Sequence, residues 1–401
     1  MILNKYINNL VVLYAFVIPI SRSGIVFISA LIILLWLIDN INNKTFNILN
    51  NKIVIILLVF ILYSLTSIIW SENTYDVLNY VKKYWYFITI IPIYQYLKKE
   101  YISYVISSFL LAMLLSEIIS YGIFFEIWTF KHGSPSDPTP FMNHLQYSMF
   151  LAFTALLLLN RVLNINEFKY KIGYFIYFLT VTINLFINGG RTGQVAFILS
   201  IFVVGFLNIK NKLKALLIIF LLIISILTIG YKYSSNFQNR VNAMKNNIEN
   251  VINDNNFSTS VGARIGFYLL GYEIIKDNFI LGVGISDVMK NINIYTDKLP
   301  YNLEVVKSLP NVHNDFLQIF VGLGIIGALL YLLIFYYIFK IKIHNEEYKK
   351  LPIIFVSVYI ISSLFENMFH QQFSMVFFSL FVGLFLAINR IEDNELKYFT
   401  N

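Results

Sequence analysis

Apolar runs, most of them about 17–25 residues long, recur from one end of this chain to the other, and they limit what it can fold into. A helix rises 1.5 Å per residue, so about 20 apolar residues cross the roughly 30 Å hydrocarbon layer of a membrane. Twelve such runs are legible, at 7–20, 23–39, 52–70, 77–97, 101–125, 142–160, 170–188, 191–208, 213–231, 313–340, 351–368 and 373–390. Composition agrees. Of 401 residues, 58% are hydrophobic and 13% charged, against about 45–50% and 25% in a soluble domain. Mean hydropathy is +0.68. Too little polar surface remains to cover a soluble globule, which excludes a cytosolic enzyme, a nucleic-acid-binding domain and a disordered chain. The expected fold is an all-α polytopic membrane protein with about 12 transmembrane helices, surrounded by membrane lipids. The first two runs, separated by Ser21-Arg22-Ser23-Gly24, also fit a re-entrant pair. No small-residue cleavage site follows the first run, so it reads as retained rather than as a signal peptide.

Lysine and arginine orient the runs. Alternate connections carry Lys44 and Lys52, Lys98 and Lys99, Arg161, Lys169 and Lys171, Lys210, Lys212 and Lys214, and Lys340, Lys342, Lys349 and Lys350; both ends join this set through Lys5, Arg390 and Lys397. That is 17 of the 30 basic residues, against five (Arg22, Lys82, Lys83, Lys131, Arg191) in the opposite short connections. The positive-inside rule then expects both termini in the cytoplasm. The formal charge of +8 is a topological signal, not a nucleic-acid footprint.

Three parts are expected: helices one to nine over 1–231, an external loop domain over 232–312, and helices ten to twelve with a cytoplasmic tail over 313–401. In the loop domain, Asn236 to Ile252 and Ala263 to Lys276 have helical spacing, the second with Val261, Ile265, Leu269, Tyr272 and Ile275 on one flank. A second outer loop, Lys131 to Pro140, holds Gly133 and three prolines. No internal repeat argues for an inverted-repeat transporter.

Several chemistries are absent from the sequence. There is no P-loop, HExxH, CxxC, DxD or GxSxG pattern and no cysteine, so no metal and no cofactor is expected. Three features on the outer face remain. Asn188-Gly189-Gly190-Arg191-Thr192-Gly193 sets a guanidinium at a helix start, which suits a phosphate or, alone, an interfacial arginine that snorkels to headgroups. Val261-Gly262-Ala263-Arg264 offers a second arginine, for the same anion or as a solvated helical residue. Asn311-Val312-His313-Asn314-Asp315 precedes the tenth helix. His313 there can serve an acceptor hydroxyl, or Asn311 or Asn314 can simply cap the helix beside an interfacial histidine. Gly322, Gly324 and Gly327 would let another helix pack close. His132 and His144 flank an outer loop, His344 is on the cytoplasmic side and His370 sits in a short outer turn. Glu366, an ionisable group in apolar sequence, is a supporting candidate; Arg240 has no comparable context.

Taken together, His313-Asn314 with Gly324 and Gly327, the Gly-Gly-Arg191-Thr-Gly and the Gly-Ala-Arg264 followed by a helix and Gly282-x-Gly284 resemble the O-antigen ligase and polymerase superfamily over nearly the whole chain. The resemblance implies a GT-C-like, metal-independent, inverting glycosyltransferase of the bacterial inner membrane with its active site facing the periplasm. It implies an undecaprenyl-pyrophosphate-linked glycan as donor, with Arg191 and Arg264 holding the pyrophosphate and His313 engaging the acceptor, Asn314 and Glu366 in support. The run from Asn239-Arg240 to Arg264 and Asn311-Val312-His313-Asn314 looks most like lipopolysaccharide ligases, whose acceptor is a sugar hydroxyl of lipid A-core. The extra C-terminal domain common in protein-directed members is not seen. The alternatives within the resemblance are a polymerase extending the lipid-linked glycan and a protein O-oligosaccharyltransferase. Outside it stands a non-enzymatic transporter of lipid-linked glycan, which gives His313 no task.

Overall fold

The computed structural model describes residues 2–43, 51–130, 133–233 and 235–400. Lys44, Lys131 and His132 lie outside the described residues, and so does the side chain of Arg240. Among the described residues the chain is helical, with one isolated bridge between Ser134 and Asp137. The helices in chain order are α1 Ile2–Val17, α2 Arg22–Asn43, α3 Lys52–Thr66, α4 Thr74–Val81, α5 Ile90–Tyr96, α6 Lys99–Phe124, α7 His144–Asn164, α8 Phe168–Ile187 and α9 Arg191–Asn208. There follow α10 Lys212–Tyr233, α11 Ser235–Asp254, α12 Ser260–Asp277, α13 Val288–Thr296, α14 Glu304–Lys307, α15 Asp315–Phe339, α16 Leu351–Ser363 and α17 Gln372–Thr400.

Eight helices among the described residues are long and apolar enough to cross a membrane, and the chain is a multi-pass membrane protein. The difference from the twelve runs has local causes. α1 has 16 residues and α16 has 13, and α10 is described only in part. The run at 77–97 is broken into α4, a 3-10 stretch Lys82–Thr89 and α5. Pro92 cannot donate to the carbonyl of Ile88, which removes an α-helical bond where the 3-10 stretch ends.

Helices that are apolar on every face go to the centre. The apolar stretch of α7 is 89% buried and that of α17 is 83% buried, whereas that of α8 is only 22% buried. α8 turns Ile172, Phe175, Ile176, Leu179 and Ile183 outward, the pattern of a lipid-facing helix. Phe153 of α7 meets Phe381 of α17 at 4.6 Å between ring centroids, and Phe355 of α16 meets Phe377 at 5.3 Å. These edge and tilted contacts fix the centre.

Residues 257–312 build a small core of their own from Phe257, Phe267, Leu270, Ile274, Ile292 and Val306. The buried face of α12 is therefore not the flank that periodicity picks. Ala263, Phe267, Leu270 and Ile274 go in, while Tyr272 is 66% exposed. Both faces of α12 carry apolar rows, and the row with Gly266 and Gly271 won because Leu303 and Leu317 can approach there.

The glycines of α15 act differently from the helix-packing role that their spacing implies. Gly324 adopts φ 62 and ψ −164, which interrupts the helix in a region open essentially to glycine alone. Into that break fits the segment after α12, with Val283 N donating to Val321 O, Gly284 N to Gly322 O and Ile325 N to Phe279 O. A loop, not a helix, occupies the notch. The same segment is tied to the turn after α3, where Glu72 N donates to Asp287 and Lys290 pairs with Glu72.

Candidate active site

His313 stands at the entrance to α15 in a left-handed conformation, φ 49, which a non-glycine residue rarely adopts. Two asparagines hold it there. Asn311 accepts from the His313 backbone N at 2.8 Å, and Asn314 caps α15 by accepting from Leu317 N at 3.0 Å. The turn places His313 Nδ1 2.9 Å from Oε2 of Glu366. Glu366 is 1% exposed, and its other oxygen accepts from Asn367 N at 2.9 Å and Gln371 Nε2 at 3.0 Å. A proton on Nδ1, shared with the carboxylate, leaves the Nε2 lone pair available. The side chain of His313 is 21% exposed, enough for a substrate to reach it.

Asn314 is a knot more than a reactant. Besides capping α15, its backbone N donates to Asn367 at 3.0 Å and its amide to the hydroxyl of Tyr268 on α12 at 2.9 Å. One residue thus locks three elements around the His313–Glu366 pair.

Arg264 reaches the same place from α12, whose start is capped by Thr259 Oγ1 accepting from Gly262 N at 3.0 Å. Its Nε is buried and has no hydrogen-bond partner among the described residues. Burial pushes the Arg264 guanidinium down from its ordinary value, Glu366 pulls it back up, and Arg191 adds to the lowering. An arginine stays charged through such a shift, so two cations and one buried carboxylate share a field. A buried N–H donor without a partner is costly and fits an anion that completes it.

Arg191 opens α9 and is exposed. Its loop is built by close approach. Gly193 N donates to Ser148 Oγ at 3.1 Å, and a Cβ on Gly190 would sit 2.2 Å from the carbonyl of His144. From the other side, Asp137 accepts from Gly189 N at 2.9 Å through one oxygen and meets His144 Nδ1 at 2.8 Å through the other. The loop with the prolines is therefore a clamp on the Arg191 turn.

Hydrogen bonds join His313 to Glu366 and Asn314 to the adjacent Asn367, Arg264 feels the charges of Glu366 and Arg191, and two other histidines lie outside this group. His370 stacks on Tyr80 at 3.6 Å, and burial, with Lys83 adding to it, pushes it down to about 3. It is neutral and structural. The backbone N of His344 bonds Glu392 at the opposite end of α17. Sequence reasoning passed over Asp137, Tyr268, Asn367 and Gln371. Only Asp137 carried a signal, an acid between Pro135 and Pro138 in a short outer loop. Among the described residues no three His, Asp or Glu side chains converge as they would around a metal ion.

Comparison with known proteins bears on the same stretch. A protein of Haemophilus influenzae described as uncharacterized is 26% identical over 206 residues, 50% of this chain and 51% of that relative. The chain thus spans about half the length of that relative. Residues 176–332 match the family model described as O-antigen ligase, a match that contains Arg191, Arg264 and His313 and stops short of Glu366. Over that stretch the chain is similar to the O-antigen ligase family.

Proposed function

We propose that the protein is an O-antigen ligase, a GT-C-like inverting glycosyltransferase that moves a glycan from undecaprenyl pyrophosphate to a sugar hydroxyl of lipid A-core. It acts at the periplasmic face of the bacterial inner membrane, with both termini in the cytoplasm, as the lysine and arginine distribution supports. The observation that carries this reading is the His313–Glu366 pair, 2.9 Å apart, in the field of Arg264. An acid-held imidazole in the field of Arg264, whose buried Nε has no partner among the described residues, combines a base with an anion seat.

In this mechanism Arg191 and Arg264 hold the donor pyrophosphate, and the unpartnered Arg264 Nε gains its acceptor. His313 Nε2 takes the proton of the acceptor hydroxyl as its oxygen attacks the anomeric carbon. The bond from that carbon to the pyrophosphate oxygen breaks, and the electron pair leaves on the lipid pyrophosphate. Glu366 holds the imidazole and stabilises the imidazolium that forms. The arginines oppose the charge growing on the leaving group, and because they are preorganised they need no rearrangement at the moment of reaction.

The test is transfer by the purified protein from undecaprenyl-pyrophosphate-linked repeat units, with and without lipid A-core, read by gel and mass spectrometry. Glycan on lipid A-core is the expected result. Longer glycans still on the lipid pyrophosphate would make the protein a polymerase, glycan on a protein acceptor would make it a protein transferase, and translocation without a new glycosidic bond would make it a transporter.

A further inference from the structure

A cavity of about 410 Å³ is lined by Arg22, Lys83, Tyr86, Asn143, Gln146 and Gln371, among others. Two observations set it apart from an ordinary gap between helices. Arg22 at the start of α2 and Lys83 of the 3-10 stretch form no ion pair among the described residues. Arg22 instead lies over the ring of Phe373 at 5.5 Å. Burial, with Lys83 adding to it, pushes His370 down, so its imidazole adds no charge of its own. Second, the side-chain oxygens of Gln146 and Gln371 are buried without a hydrogen-bond partner among the described residues, and Gln146 is 3% exposed. Buried carboxamide oxygens are ordinarily satisfied.

Two cations without a counter-ion call for an anion, and two unpartnered acceptors call for hydroxyl donors. We propose that this cavity seats a sugar bearing an anionic group, a phosphate ester or a carboxylate, with Arg22 and Lys83 on the anion and Gln146 and Gln371 on the hydroxyls. Gln371 joins the seat to the reaction. Its amide nitrogen donates to Glu366 Oε1 at 3.0 Å, while Glu366 holds His313 through its other oxygen. A sugar in the cavity is therefore one side chain away from the acid that orients the base. Arg264 and Arg191 already provide for the donor's pyrophosphate, so the anionic sugar is part of the acceptor. That last step rests on the transfer reading, whereas the seat itself does not.

The test uses the full-length protein in lipid nanodiscs with four probes: glucose 6-phosphate, glucuronate, glucose and inorganic phosphate, read by ligand-observed NMR. Binding of either anionic sugar more tightly than glucose and more tightly than inorganic phosphate is expected, and the preferred one tells phosphate ester from carboxylate. Arg22→Gln and Lys83→Gln each weaken that binding about tenfold, the worth of one charge-assisted hydrogen bond. Both side chains are exposed, so the variants fold. Glucose or inorganic phosphate binding as well as the anionic sugars, or an unchanged affinity in the double variant, overturns the proposal. In the transfer assay, removing the acceptor's anionic groups raises its KM about tenfold in the wild type and leaves it unchanged in the double variant, with kcat kept in both. Absence of transfer by the wild type to any acceptor would refute the transfer reading while probe binding still reports on the seat.

Discussion

Glu366 and His313, 53 residues apart in the chain, meet at 2.9 Å between Oε2 and Nδ1. The carboxylate is almost fully buried and the imidazole partly open, so the acid faces protein and the imidazole is the accessible partner. Asn311, Asn314, Asn367 and Gln371 fix that arrangement through four hydrogen bonds of 2.8–3.0 Å.

Glu366→Gln is expected to keep the hydrogen bond in shape and lose the charge that favours the imidazolium. Transfer should fall on the order of 100-fold or more in kcat, with donor KM little changed. His313→Ala should abolish transfer while the protein still inserts. Steady-state kinetics at saturating donor check both, and normal transfer by His313→Ala would sink the role of the base.

Arg264→Ala should cost more than Arg191→Ala, because the buried guanidinium acts in a lower dielectric than the exposed one. Losses on the order of 100–1000-fold and about tenfold in kcat/KM follow from the usual worth of buried and exposed charge on a leaving group. Arg264→Lys should not restore activity, since an ammonium lacks the planar fork. Arg240→Ala is the control, and equal losses at all three positions would leave only generic electrostatics.

Asp137→Asn tests the clamp on the Arg191 turn. Loss of the charged partner of Gly189 N and His144 should weaken donor binding about tenfold, as one charge-assisted hydrogen bond is worth about 1.5–3 kcal/mol. His144→Ala should act through the same clamp, so the double variant should lose little more than either single one. Independent, additive losses in donor binding would show that the two side chains do not act together.

Gly324→Ala should destabilise the protein by more than 2 kcal/mol, by combining a strained backbone with a Cβ placed 2.2 Å from the carbonyl of Ile280. Gly173→Ala on the lipid-facing side of α8 is the contrast. A Cβ there meets nothing within 4 Å, and alanine in a helix interior should stabilise by up to about 1 kcal/mol. Thermal unfolding in detergent separates them, and an unchanged midpoint for Gly324→Ala would remove the notch from the argument.

Much of the candidate site was legible because it resides in short motifs. Gly-Gly-Arg191-Thr-Gly, Gly-Ala-Arg264 and His313-Asn314 each concentrate an unusual residue at a helix start, and a family match over residues 176–332 spans all three. Glu366 was visible as an acid in apolar sequence, but its partner was not. Asp137 and Gln371 had little to mark them, since an acid or an amide in an outer turn is ordinary until its neighbour is known.

What the sequence determined by itself is the multi-pass, helical character of the protein and the places where chemistry could begin. Hydropathy and helix starts are local properties, written within about 20 residues of each other. Only the tertiary structure decided the rest. It broke the run at 77–97, chose the glycine row of α12 as the buried face, and opened α15 at Gly324 to receive a loop. It also set Glu366 against His313 and gathered Arg22, Lys83, Gln146 and Gln371 around one cavity. These outcomes depend on which surfaces can approach most closely, and on polar groups finding partners across helices, neither of which is carried by the period of any one segment.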